Sequence, residues 1–133
     1  MRSQIFVISG VGDIPDVLAP LQARSGLPVV KVVSDDAYLA HPSSANAICL
    51  VVDLPGENGL MALETLRRRG VTVPAILVVD AEIVLPRASL SLSGALDVLE
   101  KPVNKRALLG WIECVIAAHI AIAKARAEFR PAA

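Results

Sequence analysis

The sequence predicts an α/β fold: a three-layer, doubly wound sheet of five parallel strands with helices on both faces. Two observations carry the prediction. Four short runs, Ile5–Ser9, Val29–Val33, Ile48–Val52 and Ala75–Val79, are apolar at both odd and even positions. That pattern suits strands covered on both sides, not strands with one wet face. Helical spacings separate these runs, so strands and helices alternate along the chain, as parallel βαβ units require. No internal repeat or low-complexity linker interrupts the pattern, and 133 residues fit a single domain, 1–133.

The elements follow in order. After the first strand, Asp13 is placed as an N-cap, with Pro15 in the first turn and Asp16 three residues on; the helix runs through Val17, Leu18 and Leu21 to Gly26. Asp35 and Asp36 follow the second strand and are expected to cap a short helix containing Ala37, Tyr38 and Leu39. Asn58 opens the helix after the third strand, which continues through Leu60, Leu63, Glu64 and Leu66 to a C′ glycine, Gly70. Arg67, Arg68 and Arg69 read as a solvated helix end whose charge complements the dipole. In Glu82–Ser93, Leu85, Ala88 and Leu92 fit one face of a short, weak helix with Pro86 in its first turn. A weaker fifth strand, Leu96–Leu99, follows Gly94.

The last helix is expected over 104–129, longer than a domain of this size needs, so it should project beyond the domain. Between Ala107 and Ala123 it is apolar nearly all round, which implies burial on more than one side. One stripe, Leu108, Ile112, Ile116 and Ala123, is assigned to the sheet. A second, Trp111, Val115, Ala118, Ile122, Ala125 and Phe129, steps 4-3-4-3-4 as a two-stranded helical seam does, with Trp111 as its anchor. Docking to a protein partner or a second copy is favoured over the plainer reading of a wide, Ala-rich core helix with a frayed end.

Composition excludes several function classes. Thirteen basic residues balance thirteen acidic ones, and aromatics are only 3%. Such a chain has no general attraction for nucleic acid and too few aromatic faces to stack bases. The core must be aliphatic. Cys49 and Cys114 match no metal spacing, and Cys49 reads as a small buried hydrophobe, which suits a reducing, cytoplasmic setting. His41 and His119 lack partners at metal spacing and are read as surface histidines. The apolar run near the N-terminus is too short for a signal peptide. Glu113 and His119 interrupt Ala107–Ala123, which makes it a poor membrane span, so no membrane partner is expected.

In parallel sheets, ligands gather at the carboxyl ends of the strands. Here those ends carry Ser9-Gly10, Asp53, Val79-Asp80 and Lys101. Gly10 and Gly12 resemble part of a dinucleotide fingerprint, but Pro15 replaces its third glycine, so a nucleotide-binding module is the weakest alternative.

Three stretches together resemble a response-regulator receiver domain of the CheY-like family, over roughly residues 4 to 115. They are Gly94–Val103 (GALDVLEKPV), Arg67–Val79 (RRRGVTVPAILVV) and Val51–Gly59 (VVDLPGENG). The resemblance implies two-component, phosphorelay signal transduction. In that family an aspartate after strand three accepts a phosphoryl group from a phosphohistidine, and an acidic pair after strand one helps hold Mg²⁺. A hydroxyl after strand four and a lysine after strand five contact the phosphoryl oxygens, and an aromatic on strand five reports the change.

Against that pattern, only Asp53 and Lys101 match. Ser9 and Gly10 stand in place of the acidic pair, Val79 and Asp80 at the hydroxyl position, and Val98 at the aromatic one. The loop after Asp53 is about two residues shorter than usual for the family. The expectation is therefore an atypical, pseudo-receiver that is not an enzyme and uses no cofactor, with Asp53 held in an ion pair by Lys101. Two alternatives stand beside it: a conventional receiver phosphorylated on Asp53, with Mg²⁺ as cofactor, and a rewired acidic site in which Asp80 or Glu57 supplies new ligands. A histidine kinase or a fused output domain are the partners the resemblance implies.

Overall fold

The structure, a computed structural model, describes residues 3–10, 12 and 14–129. Five strands form one sheet: β1 (Gln4–Ser9), β2 (Val29–Val32), β3 (Ala47–Asp53), β4 (Ala75–Val79) and β5 (Ala95–Glu100). All neighbours are parallel, in the order β2-β1-β3-β4-β5. The helices are α1 (Ile14–Ser25), α2 (Asp35–Ala40), α3 (Asn58–Arg68), α4 (Arg87–Ser93) and α5 (Lys105–Glu128).

Alternation along the strands divides the core in two. Phe6, Ile8, Leu50, Val52, Leu77 and Val79 face α2 and α3, where Tyr38, Leu60, Leu63 and Leu66 cover them. Ile5, Val7, Cys49, Val51, Ile76 and Val78 face α1 and α5, under Leu18, Leu21, Leu108 and Ile112. This is why the runs of the inner strands β1, β3 and β4 are apolar on both alternating faces, whereas Lys31 on the edge strand β2 is exposed. Cys49 is fully buried, as expected, and burial pushes its thiol up to about 12.

Local chemistry differs from the sequence reading at several ends. The cap of α2 is Ser34, whose hydroxyl accepts from the Ala37 amide at 3.0 Å; Asp35 and Asp36 sit in the first turn, where their charge favours the helix dipole. The expected cap of α1, Asp13, lies outside the described residues. At the end of α3, Gly70 takes a left-handed φ of 85°, and the Gly70 and Val71 amides bond to the carbonyls of Arg67 and Leu66, closing a Schellman motif.

Arg67 is no solvated end. Its guanidinium donates to the carbonyls of Ser93 (2.8 Å), Val71 (3.0 Å), Val73 (2.7 Å) and Gly94 (3.4 Å), tying α3 to the approach of β4 and to the α4–β5 turn. Only Arg68 and Arg69 are exposed. His41 is likewise not a free surface residue: its Nδ1 accepts from the Ser43 amide and its ring meets Phe6 edge-on at 5.1 Å.

Helix α5 packs on the sheet through Leu108, Ile112 and Val115, with Ile116 half-buried. This corrects both assigned stripes. Val115 belongs to the core, not to an outer seam, and Ala123 lies beyond the sheet and is exposed. From Ala117 to Phe129 every residue is exposed, so about 18 Å of helix overhangs the domain. The interruptions at Glu113 and His119 do not disqualify α5 as a span: by length and composition alone it could cross a membrane. Its first half is nonetheless committed to the sheet.

Candidate functional site

Strand order reverses between β1 and β3, and beside that point lie the carboxyl ends of β1, β3, β4 and β5, where parallel sheets bind ligands. Ser9 and Asp53 are in-register neighbours across it. The Asp53 side chain is only 4% exposed, and its Oδ1 receives the Lys101 ammonium at 2.8 Å. Lys101 is placed by β5 through its own amide, which donates to the Val79 carbonyl at 2.8 Å. Its ammonium also lies 3.7 Å from Asp80 Oδ1. The hydrogen bond to Asp53 raises the Lys101 pKa above its ordinary 10.5, burial lowers it less, and the charges of Asp53 and Asp80 add to the rise.

The other carboxylate oxygen of Asp53 faces the β1–α1 loop. A Cβ at Gly12 would stand 3.1 Å from Asp53 Oδ2 and 3.4 Å from Ser9 Oγ. Gly12 is therefore glycine because its backbone lies against the carboxylate. Gly10 itself is exposed, with open space where a Cβ would stand.

The remaining positions fall as follows. Ser9 is fully buried, and its Oγ has no hydrogen-bond partner among the described residues. The Val79 side chain packs in the core on the α3 side, so β4 offers the site a carboxylate, Asp80, and no hydroxyl. Val98 is half-buried against the same core. Glu57 precedes α3 and is exposed. Among the described residues, no three of His, Cys, Asp and Glu gather in a metal-binding cluster.

The structure adds a contact that spacing did not disclose. Trp111 Nε1 donates to Asp97 Oδ2 at 2.9 Å, and Asp97 Oδ1 accepts from the Val98 amide at 2.8 Å. Trp111 is half-buried and pins α5 to β5. Of the outer seam, Ala118, Ile122, Ala125 and Phe129 remain exposed, Ile122 at 53% and Phe129 at 80%.

No family model and no curated protein sequence matches the chain. Solved structures do. A response regulator receiver protein from Pseudoalteromonas atlantica superposes with a TM-score of 0.73 at 21% identity, over 86% of this chain and 98% of that one. The receiver domain of the TMAO respiratory system response regulator TorR gives 0.70 at 24% identity, over 88% and 98%. A Francisella response regulator receiver domain gives 0.70 at 18%, over 89% and 99%. In strand order and helix placement, this chain has the fold of the response-regulator receiver domains.

Proposed function

We propose that this chain is an atypical receiver domain of two-component signalling, acting through protein contacts and not through a Mg²⁺-dependent phospho-switch on Asp53. The observation that carries the reading is the pairing of the buried Asp53 carboxylate with Lys101, beside a β1 end that supplies Ser9 and Gly10 in place of acids. Mg²⁺ takes octahedral oxygen ligands and usually one or two carboxylates. Among the described residues, the donors do not fit it. Asp53 Oδ1 is occupied by an ammonium, Oδ2 lies under Gly12, and Ser9 offers only a neutral hydroxyl. Transfer of a phosphoryl group to a carboxylate brings anions together, so catalysis there rests on positioned positive charge. Among the described residues Lys101 supplies that charge, and Asp80 beside it subtracts from its effect.

The signal then passes through surfaces. The overhanging half of α5, exposed throughout and rich in Ala and Ile, is the surface available to a protein partner or a second copy. Partners of the phosphorelay class, a histidine kinase or an output domain, belong to this reading.

Retention of Asp53 and Lys101 at 2.8 Å favours a second reading, an ordinary phosphoacceptor with Asp53 as nucleophile. Intact-mass measurement after incubation with Mg²⁺ and acetyl phosphate separates the two. The expected result is an unchanged mass. An added phosphoryl group that disappears in Asp53→Asn would establish the second reading.

A further inference from the structure

Trp111 and Val115 are spent on the domain itself, so the free face of α5 lies elsewhere on the helix. It is the stripe Gly110, Glu113, Ala117, Ile120, Lys124 and Ala127, which steps 3-4-3-4-3, the spacing of a two-helix contact. From Glu113 onward every residue of the stripe is exposed, Ile120 at 59%. Between the stripe and α1 lies a shallow hollow of about 320 Å³. Glu113, Ile116, Ala117 and Ile120 bound it on α5, and Leu21 and Arg24 on α1. Those four α5 residues stand at i, i+3, i+4 and i+7, the hole into which a facing helix inserts one side chain.

The charges on the stripe fix the direction of a facing helix. Glu113 and Lys124 lie about three turns apart on one side of α5. Arg24 holds Glu113 Oε1 at 2.7 Å; among the described residues nothing bonds to Glu113 Oε2 or to the Lys124 ammonium. Two copies of α5 laid antiparallel about a two-fold axis between Ala118 and His119 set Glu113 level with the partner's Lys124, and Ala117 level with the partner's Ile120, each twice. The partner's Ile120 then stands at the mouth of the hole around Ala117. A parallel pair in register would set Glu113 on Glu113 and Lys124 on Lys124. The antiparallel pair also sets Gly110 level with the partner's Ala127. Glycine is a poor helix former, and beyond its own stretch of helix nothing lies within 4 Å of where a Gly110 Cβ would stand; the close approach of a second helix gives it a use. Arg126 and His119 do not oppose the fit, because they line the groove on the sheet side of the overhang with Ile122.

We propose that this face of α5 pairs antiparallel with the same face of a second copy, joining Glu113 to the partner's Lys124 and seating the Ile120 of each chain in the hollow beside the other's Ala117. The proposal rests on the reading of α5 as the contact surface, and it names the partner, the face and the register.

Sedimentation equilibrium across the micromolar range tests it, on the wild type, Ile120→Glu, Glu113→Lys, Lys124→Glu and the double charge exchange, with Arg126→Glu on the groove side as the control. All these positions are exposed, and far-UV circular dichroism checks that the fold is kept. The expected result is a wild-type dimer weakened at least about tenfold by Ile120→Glu and unchanged by Arg126→Glu. Each single charge exchange should weaken it and the double exchange restore it. Glu113→Lys also loses its bond to Arg24, and the double exchange does not return that bond, so recovery reports the contact between chains alone. Monomers at every concentration would overturn the proposal. So would a dimer indifferent to Ile120→Glu, a double exchange no better than the single ones, or a dimer that Arg126→Glu weakens as much as Ile120→Glu does. The phosphodonor assay on the same samples keeps the two readings apart: a phosphorylated dimer overturns only the atypical-receiver reading, and an unphosphorylated monomer only this one.

Discussion

Lys101 lies half in water, its side chain 39% exposed, yet its ammonium closes on a carboxylate that is almost wholly buried. The asymmetry decides what a substitution does. Lys101→Met keeps the stem and removes the charge, leaving Asp53 buried beside the unpartnered Ser9 hydroxyl. An orphaned buried polar group costs about 1–3 kcal/mol; the water around Lys101 holds the loss toward the lower end. The pH dependence has a definite sign. Because the folded state raises the lysine pKa, the pair's contribution is complete below the unfolded value of 10.5 and is lost as pH rises through the folded one. The gap in urea midpoint between wild type and Lys101→Met is therefore expected to hold constant from neutral pH to the onset of lysine titration, then to narrow. A gap that stayed constant through strongly alkaline pH would show that the ion pair is not its source.

At the scale of elements, Arg67 has the largest unadvertised role. One guanidinium serves carbonyls from the loop before β4 and from the turn before β5, so three elements depend on it. Arg67→Met preserves the apolar stem but leaves those carbonyls without donors, and a loss of about 2–3 kcal/mol in chemical denaturation is expected. Arg68→Met, on the exposed side, should change stability by less than about 0.5 kcal/mol. Equal effects would refute the distinction. Nothing in the run Arg67-Arg68-Arg69 separates these residues before folding; only the approach of two distant turns does. The same reasoning explains which elements were legible. The strands were, because burial on both faces leaves an unbroken apolar run. The C′ glycine of α3 was, because a left-handed φ at a helix end selects glycine. Val115 was not: on a helix apolar all round, periodicity cannot say which stripe meets the sheet, and that is set by where β5 delivers Asn104. Of the candidate site, Asp53 and Lys101 could be read from strand ends, and the absence of an acidic pair only from the resemblance to receiver domains, while the Gly12 contact and the Trp111–Asp97 hydrogen bond depend on tertiary approach.

Across the whole molecule, the departures from the receiver pattern collect at one edge of the sheet and the exposed apolar helix projects from the other. β3, with seven residues, separates the two edges by about 23 Å. A cation at the first edge would stabilise the entire domain, because anything bound only by the folded state adds to its stability as a whole. The gain is RT ln(1 + [L]/Kd), about 2.7 kcal/mol at a hundredfold excess over Kd and nearly nothing when Kd exceeds the concentration used. In a domain this size, the first case raises Tm by several degrees. With one buried carboxylate already paired to an ammonium, the second case is expected. Thermal unfolding in about 10 mM MgCl₂ should match that in NaCl of equal ionic strength, with no rise in Tm. A rise of several degrees that vanished in Asp53→Asn would mean that Mg²⁺ displaces Lys101 and recruits ligands from the β1–α1 loop. Repair of the missing acid supplies the converse test. Ser9→Asp places a second carboxylate in register beside Asp53, where the unpartnered hydroxyl now sits. It should lower stability without Mg²⁺, through repulsion between buried like charges, and recover part of the loss when Mg²⁺ is added. If Mg²⁺ failed to rescue that variant, a second carboxylate at the end of β1 would not be enough to build a Mg²⁺ site.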